Sequence, residues 1–393
     1  MRNADHGCIV VGVGAVGSAV LWQLARRGIP ALGIERFEPG HANGSSHGET
    51  RVIRTAYHEH PAYVPLLQRA HALWRELQSA AGERLYWETG VLEIGPPDGE
   101  VVPGVLESAR AHGLSVQELG ADEVERRFPG FSVPAGSVGV FERQGGVLSV
   151  ERCVEVQARL AQQGGAELWS NTEVESWRVE AGRVVLETSR GRVTSERLVL
   201  AVGPWAPAHL ASLGVEMRVL RKPLLWHRSE PGAYSPERGS PVFLYERRDG
   251  VFYGFPALED GVVKVAEHSG GAVVADPLRL KRTMGPEDAA PVASFLSECL
   301  PQVDPQAVVR SAVCMYTMSP DGHFLVGEHP GLPQVAFAAA LSGHGFKFTS
   351  ALGEVLAEWA SGGRPRHSID VFSPSRFGDG SPTPLEAGAS ERE

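Results

Sequence analysis

Gly12, Gly14 and Gly17 form the pattern GVGAVG, and Glu35 stands 21 residues after Gly14. The first glycine allows a tight turn, the second lets a pyrophosphate approach the backbone, and the third lets a helix pack closely. Ala15 and Val16 open that helix, whose free N–H groups and positive dipole end face the phosphates. The Glu35 carboxylate can accept hydrogen bonds from ribose hydroxyls and would repel a 2′-phosphate; Arg36 follows it. These residues specify a dinucleotide without choosing between NAD and FAD. Three cations also stand in apolar company. Arg54 follows Ile53, Lys347 lies between Phe346 and Phe348, and Lys264 lies between Val263 and Val265. Such places are odd for freely solvated charges, and paired cations suit a carboxylate. Cys314, in VCMYT, raises the question of whether it is a core thiol or a point of attachment.

The elements that must position these residues follow from hydrophobic periodicity. Residues 8–13 are an apolar run and predict a buried parallel strand. A helix is predicted over 15–28 and a second strand over 31–35, which completes a βαβ unit. Further helices are predicted near 62–80, 103–112, 150–164, 286–300 and 347–361. Short strands separated by turn residues fill 217–270, with more at 309–318 and 334–340. The expected fold is α/β: a Rossmann-type nucleotide domain with an inserted substrate domain on a mostly antiparallel sheet. The expected division assigns 1–83, 146–216 and 309–378 to the first and 84–145 and 217–308 to the second. Residues 379–393 have little apolar content and are expected to be disordered.

The chain has 393 residues, 42% hydrophobic and 21% charged, with a formal net charge of -10. That length favours two domains. The absence of a Lys/Arg cluster argues against nucleic acid as a partner. No run nears the ~20 apolar residues that span a bilayer, so no membrane is expected. Neither a signal peptide at the start nor a peroxisomal tripeptide in the closing SERE is expected. Cys8, Cys153, Cys299 and Cys314 show no CxxC or disulfide spacing, which points to a reducing, cytoplasmic setting.

The stretches HANGSSHGETRVIR, YVPLLQRAHALW, GVFYGFP, VVKVAEH, VCMYT and SGHGFKF occur in this order. Together they resemble the monomeric sarcosine oxidase family, among the D-amino-acid-oxidase-like flavoproteins, to about residue 377. The resemblance implies FAD, bound covalently by a thioether from Cys314 to the flavin 8α-methyl. It implies that Arg54 and Lys347 clamp a substrate carboxylate, and that Ser46, His47 and Arg51 lie by the flavin. Lys264 would stand at the flavin edge where oxygen accepts electrons. His268, Tyr253, Tyr316 and Glu59 would line the substrate pocket, while Gly343, Gly345 and Lys347 would present the SGHG helix entry to the ring. No metal is implied. The partners would be a small secondary amino acid and O2, and the state a monomer.

The implied reaction takes sarcosine, O2 and water to glycine, formaldehyde and hydrogen peroxide. Oxidation of N-methyl-L-tryptophan or L-pipecolate stays open, because relatives that act on them share SGHGFK and the clamp, and Leu244 stands where the sarcosine type has a different apolar side chain, which would reshape the pocket. His58 stands where the family usually has glycine, and Gly322 where it commonly has an acid. An NAD-dependent dehydrogenase and a non-catalytic flavin-binding subunit are the remaining alternatives.

Overall fold

The computed structural model describes residues 5–378, so the expected disorder at 379–393 lies outside the described residues. An eight-stranded sheet is built around Asp5–Val11. That strand runs parallel to Ala31–Ile34 on one side and Gly191–Leu200 on the other. Glu167–Trp169 and Leu332–Ala339 add parallel strands, while Val174–Glu180, Arg183–Thr188 and Leu325–His329 pair antiparallel. Cys8, Ile9 and Val10 are fully buried, as a strand covered on both faces must be. The helices Ala15–Arg26, Val150–Gln163 and Thr349–Ala360 share one apolar cluster beside this sheet. Gly353 lets two of them meet, since a Cβ there would press on Ala19.

The glycines of the fingerprint act as the spacing predicts. Gly12 has φ +86°, and a Cβ there would collide with the Ala201 carbonyl. A Cβ on Gly17 would collide with the Gly12 carbonyl oxygen. Gly17→Ala is therefore expected to destabilise the protein by about 1–3 kcal/mol, read as a lowered melting temperature and loss of bound cofactor.

A nine-stranded sheet forms the second layer. Its order is Ala272–Val273, Arg218–Ser229, Val262–Glu267, Gly250–Gly254, Val242–Arg247, Val91–Gly95, Val138–Glu142 and Val116–Leu119, with Val303–Met318 also on Arg218–Ser229. Every pairing in it is antiparallel except that of Val91–Gly95 with Val242–Arg247. The boundary expected at 309 falls inside Val303–Met318, which is one continuous partner of Arg218–Ser229. Its exposed first half has no apolar alternation, which hid it as a strand. The boundary at 84 is similarly crossed, because Tyr86–Trp87 pairs with Val147 and Leu148 in a three-stranded sheet with Thr50–Ile53.

Candidate active site

One cavity of about 1840 Å³, solvent at its mouth included, runs between the two large sheets. One end is the fingerprint: Gly12, Gly14, Ala15, Val16, Glu35, Arg36 and Ser46 line it. Nothing but Ser46 Oγ, at 3.7 Å, stands near the place of a Gly14 Cβ, so the turn is bare toward the cavity. Glu35 accepts from Val13 N–H at 2.7 Å and Phe37 N–H at 3.0 Å. Burial alone would raise its pKa, but His41 and these donors hold it below the usual carboxylate value. Arg36 is paired with Glu173 at 3.0 Å.

The other end holds Arg54, Glu59, Tyr253, His268, Tyr316, Gly343, Gly345 and Lys347. Arg54 Nη2 donates to Glu59 Oε2 at 3.1 Å, and Nη1 is bonded to Glu93 Oε1. Burial works against its charge, yet Glu93 and Glu59 keep its pKa above the usual arginine value. Glu59 is opposed by burial too, and His58, Arg54, His344 and Lys347 together hold it well below the usual carboxylate range. Lys347 Nζ donates to the His344 carbonyl at 2.8 Å and to Tyr57 Oη at 3.3 Å. Burial, then Arg54, pushes its pKa down to about 7. The SGHG turn delivers it: Gly343 adopts φ +81°, where a Cβ would collide with the Tyr316 ring. A short 3-10 turn, Phe346–Phe348, then leads into the last helix.

Tyr253 and Tyr316 place their hydroxyls 3.4 Å apart, and His268 Nδ1 lies 3.4 Å from Tyr316 Oη. Burial, then His344, pushes the His268 pKa down to about 3, so the ring is neutral near pH 7. Lys222, itself buried, donates to the carbonyls of His268, Ser269 and Gly270 and so fixes this corner.

Arg51 lines the cavity, and its Nη2 lies 3.3 Å from Cys314 Sγ. The sulfur is also 3.4 Å from the Ser45 carbonyl. Cys314, two residues before Tyr316, points to the same side of its strand and is buried just behind the wall. Lys264 is buried and also stands behind the wall, not on it. Its Nζ donates to Gly48 O, to Thr50 O at 3.1 Å and to Thr50 Oγ1 at 3.0 Å. It lies close to Arg51, since the place of a Gly48 Cβ is 3.6 Å from Lys264 Nζ and 3.8 Å from Arg51 Nη1. Burial and then Arg51 push its pKa well below the usual lysine value.

Of the residues singled out in the sequence, four do not line the cavity: Gly17, His47, Lys264 and Cys314. His47 is buried, its Nε2 has no hydrogen-bond partner, and burial pushes its pKa down to about 3. Glu93, Tyr57 and His344 also belong to the site, although they were not among the candidates read from the sequence. Tyr57 Oη sits 2.7 Å from His344 Nδ1, linking Lys347 to the buried aromatic core. Glu93 had one visible signal, a charge inside the otherwise apolar VLEIG.

The fold and this cavity define a dinucleotide-binding protein, and comparison with known proteins gives its class, a flavoprotein oxidoreductase. Residues 8–359 match the family described as FAD dependent oxidoreductase, and the chain belongs to it. It is 38% identical over 373 residues to monomeric sarcosine oxidase of Bacillus sp. (strain B-0618), covering 94% of this chain and 95% of that one. It is 35% identical over 376 residues to N-methyl-L-tryptophan oxidase of Yersinia pestis (strain Pestoides F), covering 95% and 100%. The structure of NikD, an amino acid oxidase of nikkomycin biosynthesis, superposes with a TM-score of 0.82 at 25% identity, covering 94% and 97%. The nicotinamide alternative is thereby overturned: GVGAVG serves both dinucleotides and could not exclude NAD alone. The residues present fit FAD. A bare glycine turn, a helix amino terminus and the Glu35 carboxylate open on one cavity long enough to reach Lys347.

All four cysteines are free and buried. Among the described residues no helix is long and apolar enough to cross a membrane, and no cluster of metal-ligating side chains occurs.

Proposed function

We propose that the protein oxidises secondary amino acids with O2, sarcosine being the first candidate substrate, and acts as a monomer. The observation that carries this is the placement of two buried cations, Arg54 and Lys347, on the wall of the cavity that begins at the dinucleotide fingerprint. Bound FAD would supply two-electron oxidation of the C–N bond and return the electrons to O2 as hydrogen peroxide. Gly12, Gly14, Ala15, Val16, Ser46, Glu35 and Arg36 would hold its nucleotide half; Arg51, Gly343 and Gly345 would stand by its ring.

Arg54 and Lys347 bind the substrate carboxylate and so orient the rest of the molecule, a positioning effect. Tyr253, Tyr316 and neutral His268 enclose the amine and accept or donate hydrogen bonds without adding charge. The imine product hydrolyses in water, which for sarcosine yields glycine and formaldehyde. A panel of N-methyl and cyclic secondary amino acids, read as peroxide release, tests this; no release from any member would refute it. A larger or cyclic substrate is the second candidate, because Leu244 and Phe346 lie on the cavity wall.

The pH dependence has a defined sign. Lys347 carries its charge below about 7 and loses it above, so the free enzyme binds a carboxylate less well as pH rises through 7. The profile of kcat/KM, which reports the free enzyme, should therefore fall on that side, and Lys347→Arg should move the fall to higher pH.

Cys314 supplies the thioether to FAD. Its sulfur stands beside the Arg51 guanidinium and on the strand face of Tyr316, which does line the cavity. A denaturing gel should show a flavin-fluorescent band for the wild type and none for Cys314→Ser. A dark wild-type band from a yellow protein would mean that the flavin is held without a bond.

A further inference from the structure

We infer that Glu93 is a specificity-determining residue, which tunes the site toward zwitterionic amino acids and against bare carboxylates by balancing the charge of Arg54. This rests on Arg54 being part of the carboxylate clamp. Glu93 lies mid-strand in Val91–Gly95, every residue of which is buried, paired with Val140 on one side and Leu244 on the other. A carboxylate in such a place demands a partner. Its Oε1 is bonded to Arg54 Nη1 and lies 3.6 Å from His58 Nδ1.

The same guanidinium meets Glu59 through Nη2. Two carboxylates thus share one arginine, and Arg54 Nε is buried with no hydrogen-bond partner. Glu142, a third buried acid nearby, takes its hydrogen bonds from the Thr55 and Ala56 N–H groups and leaves the guanidinium to the other two.

Arg54 and Lys347 face Glu59 and Glu93, so the cluster is near neutral before a ligand arrives. A bare carboxylate adds an uncompensated negative charge in a buried place. A secondary amino acid brings its ammonium with its carboxylate and adds none. Glu93 is therefore the group that makes the site reject simple anions. Glutamine at this position keeps the shape and an acceptor for Nη1 but removes the charge, and leaves Arg54 with attraction to spare.

The test is calorimetric titration of the holoenzyme at pH 6 with acetate and with glycine betaine, a zwitterion that has no amine lone pair to oxidise. Glu93→Gln should bind acetate about tenfold more tightly than wild type, with a smaller gain for betaine, so that the betaine-to-acetate preference falls. Glu93→Asp, which keeps the charge, should behave as wild type. Unchanged or weaker acetate binding in Glu93→Gln would overturn the role given to Glu93. The double variant Arg54→Met, Glu93→Gln separates the two claims without stranding the Glu93 charge. If it binds acetate as tightly as the Glu93→Gln single variant does, Arg54 is not the clamp, and the fault lies with that assignment.

Discussion

Lys264→Met should slow reoxidation of the reduced enzyme by O2 by about 10²–10³-fold while leaving reduction by substrate within a few-fold. Lys264 stands behind the segment Gly48–Thr50, next to Arg51, and not against the substrate end of the cavity. A protonated Lys264 there would stabilise the negative charge that develops as O2 takes electrons, and it touches none of the residues proposed to clamp a carboxylate. Rapid mixing of each half-reaction separates the steps. The competing explanation is that Lys264 merely staples the loop through its bonds to Gly48 and Thr50. That explanation requires a lowered melting temperature and a parallel loss in both half-reactions, and such a result would remove Lys264 from the oxygen step.

Arg54→Met should reduce kcat/KM for the amino-acid substrate by about 10³-fold. Two effects combine. The substrate would lose one of the two cations proposed to hold its carboxylate, and Glu59 and Glu93 would lose the charge that holds them. The second effect is structural, at about 3–5 kcal/mol for breaking a buried pair. Adding Glu93→Gln should recover part of the stability but not the activity. Arg54→Lys should also fail to restore activity, because an ammonium cannot reach Glu59, Glu93 and a ligand as a planar fork does. Steady-state kinetics beside thermal melts would check all three variants. Full activity in Arg54→Met would move the clamp elsewhere.

Local chemistry was legible in the sequence, and long-range register was not. The GVGAVG turn, its helix and Glu35 are set by neighbours within one βαβ unit, so spacing alone located them. Arg54, directly after Ile53, and Lys347, between two phenylalanines, stood out by their neighbours, and both are buried on the cavity wall. Glu93 escaped because its partner is 39 residues away. The parallel pairing of Val91–Gly95 with Val242–Arg247, which sets its surroundings, leaves no local mark. Lys264 shows a different limit. Alternation predicts that its side chain opposes Val263 and Val265, but this strand is covered on both faces, so the lysine is as buried as the valines. What covered it, the Gly48–Thr50 loop, lies more than two hundred residues away in the chain.

Whether one cavity unites a flavin with a carboxylate clamp for secondary amino acids can be measured directly. Purified protein should be titrated with sarcosine without air, the flavin absorbance followed, and air then admitted. The visible flavin bands should bleach and then recover in air, with formaldehyde and peroxide formed in equal amounts. If sarcosine fails, a larger or cyclic secondary amino acid should bleach the protein in its place. A yellow protein that no secondary amino acid bleaches would rule out this function.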